Sequence, residues 1–258
     1  MIYTNSEKQP CIFICVIFLL INIIISPFLL PVVEGLENEG LDKLPIQINS
    51  IPLKYREGVQ KIINGKTAFL NWRDEEIKTG ASIFNYILDR PAFTSTILTE
   101  LDIAEYQIEV DKEILHFDDG EGITGELKML YKRGSERMYQ GTYLYTTGIG
   151  VPLRLSGEWV SVLKYNENGE ELGIDIDLYL KSEDSGLSRV TKDIPFIIES
   201  IMFEKVNSYI DSLRELSELI QSDPDDVYDR LKESREISKK ELKELETNFK
   251  KWKGTKRK

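Results

Sequence analysis

The chain reads as an α+β protein in which a curved antiparallel sheet wraps around one long C-terminal helix. Three observations point there. Period-two segments follow one another between Ile123 and Leu180, the pattern of strands with one face covered and one wet. Short turn signals separate them, and short connections make sequential strands antiparallel neighbours. Then Pro195 to Ile220 repeats apolar residues at steps of three and four, the spacing of a helix that buries one stripe. A sheet curved around a helix commonly encloses a hydrophobic pocket.

Four regions follow in order. Residues 1–35 form a signal peptide or membrane anchor, 36–65 a tether and short helix, 66–222 the sheet-and-helix domain, and 223–258 a charged helical extension with a basic tail. The run Cys11 to Val33 carries no charge, long enough to cross a bilayer. Pro27 and Pro31 shorten its helical part towards the length of a signal-peptide core. Cleaved leader and uncleaved anchor both place the rest of the protein outside the cytoplasm; the remaining alternative is a buried core helix. Both cysteines, Cys11 and Cys15, lie in this run, so the remainder has no disulfide, thiol nucleophile or cysteine metal site.

Within the body, Tyr55, Val59, Ile62 and Ile63 share helical spacing, and Asn64-Gly65 stops them. Lys66 to Arg73 reads as extended. Ala81 to Leu88, rich in aromatic and β-branched residues, reads as a strand. Pro91 suits a first helical position, and Phe93, Ile97, Leu98 and Leu101 give a short amphipathic helix. Tyr106, Ile108 and Val110 alternate with Gln107, Glu109 and Asp111. Asp118 to Gly122 turns the chain into Ile123, Leu127, Met129 and Tyr131. After the Arg133-Gly134-Ser135 turn, Tyr139, Tyr143 and Tyr145 share one face of the next strand. Gly148 to Gly150 bends the chain again. Val151, Leu153, Leu155, Trp159 and Leu163 share a face, the Asn168-Gly169 turn follows, and Leu172, Ile174, Ile176, Leu178 and Leu180 return. Ile198, Met202, Val206, Tyr209, Leu213, Leu216 and Ile220 then form the stripe that covers the sheet. A second helix over Asp225 to Lys251 has a thinner stripe (Val227, Leu231, Leu242, Leu245, Phe249) and the look of a charged arm.

Charge narrows the partners. The chain carries 33 basic and 44 acidic side chains, net −11. An acidic body argues against nucleic acid, whose binding requires neutralised phosphates. The six Lys and Arg of the last nine residues form either a solubilising end or a contact for anionic headgroups.

Few residues offer catalytic chemistry. His116 is the single histidine, which rules out His-pair zinc motifs and reads as an ordinary strand residue. Gly120-Glu121-Gly122-Ile123-Thr124-Gly125 has the spelling of a dinucleotide fingerprint, but a strand pattern follows where a helix must start. Asp223, Asp225, Asp226 and Asp229 lack the central glycine and terminal glutamate of a calcium loop and read as helix-capping acids. Asp175 and Asp177 read as solvated. No metal site, catalytic set or cofactor is indicated.

The strand into Asp89-Arg90-Pro91, the meander through Gly141, Gly157-Glu158-Trp159 and Asn168-Gly169, and Ile194-Pro195-Phe196 opening the last long helix together resemble the helix-grip fold of the START-like, or Bet v 1-like, superfamily. This superfamily includes lipid-transfer domains and polyketide cyclase-type proteins. The resemblance covers about residues 66–220 and implies a cavity for a lipid or other hydrophobic small molecule. It carries over no catalytic residue. The residues placed to line such a cavity are Tyr143, Tyr145, Leu155, Trp159, Ile176, Leu178, Ile198, Met202 and Tyr209. Three functions are compatible with this reading: an exported or membrane-tethered non-catalytic binding protein, a cyclase or dehydratase using the same cavity, and an envelope interaction protein with a filled core whose C-terminal helix holds a partner.

Overall fold

The computed structural model describes residues 48–146, 154–169, 171–183 and 194–255. The Cys11–Val33 run, the tether up to residue 47, the Gly148–Gly150 bend with Val151 and Leu153, and the last three basic residues lie outside them. Among the described residues no helix is long and apolar enough to cross a membrane.

Seven strands form one antiparallel sheet: β1 (Ala68–Ile77), β2 (Gln107–Asp111), β3 (Ile114–Asp118), β4 (Ile123–Arg133), β5 (Glu136–Thr146), β6 (Arg154–Asn168) and β7 (Glu171–Ser182). Their spatial order is β1-β7-β6-β5-β4-β3-β2. From β2 to β7 the sheet is a meander, so each strand pairs with the one just made. β1 closes the far edge beside β7, with Ala68 opposite Leu180. The β6–β7 hairpin turns at Gly169, whose φ of 68° suits glycine.

A 29-residue helix, Ile194–Ser222, lies across the concave face and buries Ile198, Met202, Ile210, Leu213, Leu216 and Ile220. Trp72 of β1 donates its indole N–H to Asn207 Oδ1 at 2.6 Å and stacks on Phe203, fixing the helix to the sheet edge. This is the helix-grip architecture that the sequence resembles.

Three elements differ from the sequence reading. Ala81–Leu88 is a helix, not a strand. Its buried residues are Ile83, Phe84 and Ile87, a helical set that outweighs the β-branched and aromatic content behind the strand expectation. The second difference is the outer sheet face, which is covered in part and not uniformly wet. The helix Leu53–Asn64 lays Val59, Ile62 and Ile63 into a separate core with Leu130, Met138, Val160, Val162 and Tyr179. On that face Asp177 is 7% exposed and bound by Arg73, so it is an ion-paired residue and not a solvated one. Asp175 accepts the backbone N–H of Asp74 at 3.0 Å.

Third, the expected single helix over Asp225 to Lys251 is two: Pro224–Leu231 and Lys239–Thr255. Ser238 starts the second as a capping box, exchanging hydrogen bonds with Glu241 at 2.9 and 3.2 Å. Asp223 caps the first by accepting the Asp226 N–H at 3.1 Å, the role read for it in the sequence. Both helices dock: Val227, Leu231, Ile237, Leu245 and Phe249 join the main core. Numbered in chain order, the helices are α1 (Leu53–Asn64), α2 (Ala81–Leu88), α3 (Pro91–Glu100), α4 (Ile194–Ser222), α5 (Pro224–Leu231) and α6 (Lys239–Thr255).

Candidate functional site

Register sorts the concave face into rows. One runs Leu115, Leu127, Gly141, Trp159, Leu180 across β3 to β7. The next runs Met129, Tyr139, Ser161, Leu178, and a third contains Arg137, Leu163 and Ile176. Over these rows, beneath α4, is a cavity of about 1050 Å³. Its floor is Leu115, Leu127, Trp159, Met129, Tyr139, Ser161, Leu178, Leu163 and Ile176. Met202, Val206 and Tyr209 form the roof. The β2–β3 hairpin adds Ile108, Val110 and Phe117, and the α2–α3 corner with the following loop adds Leu88, Phe93, Ile103 and Tyr106. Val110 and Met129 are 56% and 43% exposed, which marks an apolar rim beside the hairpin.

A repeated device flattens the concave face. Three aromatic side chains lie over glycines directly opposite them on the neighbouring strand: Phe117 over Gly125, Trp159 over Gly141, and Tyr143 over Gly157. A Cβ on Gly141 would stand 2.8 Å from the Trp159 ring, and one on Gly157 2.9 Å from Tyr143. Without a side chain beneath it, each ring can lie along the sheet instead of standing upright into the cavity. The Trp159 N–H is spent on the Thr142 carbonyl at 3.2 Å, so the indole presents an apolar surface to the floor.

Of the nine residues placed by sequence at a pocket, the cavity wall brings together Trp159, Ile176, Leu178, Met202 and Tyr209. Tyr143, Tyr145, Leu155 and Ile198 share the concave side but pack within the main core and do not border the cavity. Tyr143 and Ser182 share a hydrogen bond at 3.2 Å. Among wall residues outside the sequence set, Tyr139 and Ser161 carried a readable signal: they share the strand parity of Tyr143 and Trp159. Tyr106 and Leu115 carried none, because their place depends on how the β2–β3 hairpin folds back.

Two tyrosine hydroxyls belong to this space. Tyr139 and Tyr209 keep accessible surface and find no hydrogen-bond partner among the described residues. Burial nevertheless pushes the Tyr139 hydroxyl up to about 12 and that of Tyr209 well above the ordinary range. Both residues belong to the cavity wall. The Tyr209 ring meets Tyr106 edge-on, with centroids 5.7 Å apart, and Tyr106 bonds Ser208 at 3.2 Å.

The charged groups are grouped at the ends. At one, Lys205 of α4 bridges Asp119 at 2.7 Å and also Glu121. Asp119 in turn accepts the backbone N–H groups of Glu121 and Ile123 at 2.9 and 2.8 Å. At the other end, Asp89 binds Lys132 and the wholly buried Arg137, the latter at 3.1 Å. Burial alone would raise Asp89, but these two cations outweigh it and hold the carboxyl below its usual range. Arg137 leaves Nε and Nη1 without partners and sits over the Tyr165 ring at 5.9 Å, a partial compensation for a buried guanidinium.

The remaining sequence motifs lie away from this chemistry. His116 faces the opposite side of β3 from the wall residues Leu115 and Phe117 and pairs with Glu126 at 3.3 Å. In the glycine-rich stretch, Gly120 and Gly122 take positive φ in a loop, and Ile123 opens β4 where a phosphate-binding helix would have to start. No group of three or more potential metal ligands occurs among the described residues.

The size of the cavity decides its state. At about 24 cal/mol per Å³, a dry void of this volume would cost roughly 25 kcal/mol, above the 5–15 kcal/mol net stability of a typical domain. The space is therefore solvated or occupied.

Comparison with family models and with curated proteins finds no match. Among solved structures, the chain is similar to the Zhui aromatase/cyclase from Streptomyces sp. R1128 at 15% identity and TM-score 0.42, over 61% of this chain and 97% of that one. It is similar to the di-domain ARO/CYC BexL from the BE-7585A biosynthetic pathway at 11% identity and TM-score 0.40, over 64% of this chain and 54% of that one. Ara h 8.0201 aligns at 13% identity and TM-score 0.36, over 58% of this chain and 97% of that one.

Proposed function

We propose that the protein is a non-catalytic binding protein that holds a lipid-like or other hydrophobic small molecule between sheet and helix, exported or tethered by its N-terminal segment. The cavity carries the reading: about 1050 Å³ of mainly apolar space, large enough for a drug-sized or lipid-sized molecule. Its polar groups are few and placed to orient a ligand, as binding pockets require. A filled-core interaction protein would not keep such a space. The cyclase or dehydratase alternative needs a carboxylate poised to take a proton inside the cavity. Neither wall carboxylate with a displaced proton affinity is raised: Asp89, against its burial, is lowered by Lys132 and Arg137, and Glu113 is lowered by Lys128, which favours binding over catalysis.

Two measurements on the full 258-residue chain test this. Native mass spectrometry, compared with the denatured mass, is expected to show a bound species that unfolding releases. The neutral dye Nile red is expected to brighten with the wild type and not with Ser161→Trp, which fills the middle of the floor. An apo mass together with equal dye binding by both proteins would reject the reading.

A further inference from the structure

We infer that the cavity selects uncharged hydrophobic molecules bearing a hydrogen-bond acceptor, such as a ketone or ester carbonyl, and discriminates against carboxylates such as free fatty acids. This rests on the binding reading above and specifies its ligand class. The observation behind it is a mismatch between the cations of the wall and what is left for a ligand. The wall holds seven carboxylates and four cations. Three of the four cations are already neutralised from within the protein: Arg90 by Glu244, Lys132 by Asp89, and Lys205 by Asp119 and Glu121. The fourth, Lys112, sits on the exposed turn between β2 and β3. Arg137, wholly buried, does not border the space, so a carboxylate drawn into the apolar interior would lose its water without gaining a cation of the wall, and would meet an excess of negative charge.

The interior donors are of a different kind. Tyr139 on the floor and Tyr209 on the roof have uncommitted hydroxyls and border the same space. Both stay protonated well past neutrality, so each has a proton to donate to a neutral acceptor. A carbonyl oxygen can accept from either. The surrounding Met129, Leu178, Met202 and Val206 suit the hydrocarbon portion of such a molecule.

The test is displacement of Nile red from the full chain by three ligands of matched length: 2-undecanone, undecane and undecanoate at neutral pH. The ketone is expected to compete about tenfold better than undecanoate and about three- to tenfold better than undecane, the latter gap being the worth of one or two ordinary hydrogen bonds. In the Tyr139→Phe/Tyr209→Phe double variant the advantage of the ketone over undecane should disappear. Circular dichroism checks that the variant is folded, and each single Tyr→Phe change serves if the double one is not. Undecanoate competing as well as the ketone, or a ketone preference that survives loss of both hydroxyls, overturns the inference and leaves the binding reading standing. Failure of Nile red to bind the wild type overturns both.

Discussion

The two faces of the sheet solve the same burial problem differently. On the convex side, the short α1 inserts Val59, Ile62 and Ile63 among Leu130, Met138, Val160 and Val162, and each of these seven is 6% exposed or less. On the concave side, the much longer α4 also buries an apolar stripe, yet leaves about 1050 Å³ beneath it. Hydrophobicity does not separate the two faces, since both are lined with aliphatic and aromatic residues. What differs is side-chain height. On the concave face, glycines at 125, 141 and 157 let facing rings lie down, and Ser161 occupies mid-floor where a Leu or Ile would reach towards α4. An apolar surface thus becomes a core when its residues are tall enough to meet the opposing layer, and a container when they are not.

Substitutions can break that contrast. Ile62→Ala on the convex side should be the most damaging, at about 2–5 kcal/mol in urea unfolding, and should leave Nile red binding intact. Gly141→Val should cost about 1–3 kcal/mol by forcing strand and ring apart. It should also weaken dye binding, because the Trp159 ring is pushed into the space it now floors. Met202→Ala, by contrast, removes a side chain that already borders open volume. Its loss should be about 1–2 kcal/mol, clearly less than at Ile62; equal losses would mean that the cavity is closed in solution. The last test is a titration. Tyr139 and Tyr86 are both pushed up to about 12, chiefly by burial. Their folded values lie above the unfolded value of 10. The stability they contribute is therefore complete below pH 10 and declines as pH rises from there towards 12, where the native state alone still holds these protons. Ultraviolet titration should show this late-ionising fraction, and Tyr139→Phe should reduce it.

Much of this was legible in the sequence for a definite reason. The strands β4 to β7 and helix α4 have long, strictly periodic patterns, and their turns carry Gly134 and Gly169 at positive φ. Ala81–Leu88 misled because its composition favours strand while its spacing, with Ile83, Phe84 and Ile87 inward, is helical. The break between α5 and α6 was marked by Ser238 and Glu241, a capping box hidden inside a run of charges. The covering of the convex face was harder: α1 is recognisable as amphipathic, but nothing local says which surface it meets. The same limit applies to the site. Strand parity assigns Tyr143, Leu155 and Trp159 to one face, but only register and the position of α4 decide which row borders the cavity. Trp159 falls in that row, while Tyr143 and Leu155 fall beyond it.

The space under α4 is also a volume, and volume is conjugate to pressure. Unfolding abolishes internal voids, so the unfolded chain with its solvent takes up less room than the folded protein, and pressure favours it in proportion to the void removed. Water in the unliganded space packs less densely against its apolar wall than protein atoms do, so the concave half has more volume to give up than the closely packed convex half. Compression should therefore act first on the concave side, disturbing α4, the β2–β3 hairpin and the α2–α3 corner before the packing of α1. A molecule that occupies the cavity replaces that loosely packed water, and the protein carrying it should withstand higher pressure than the protein without it.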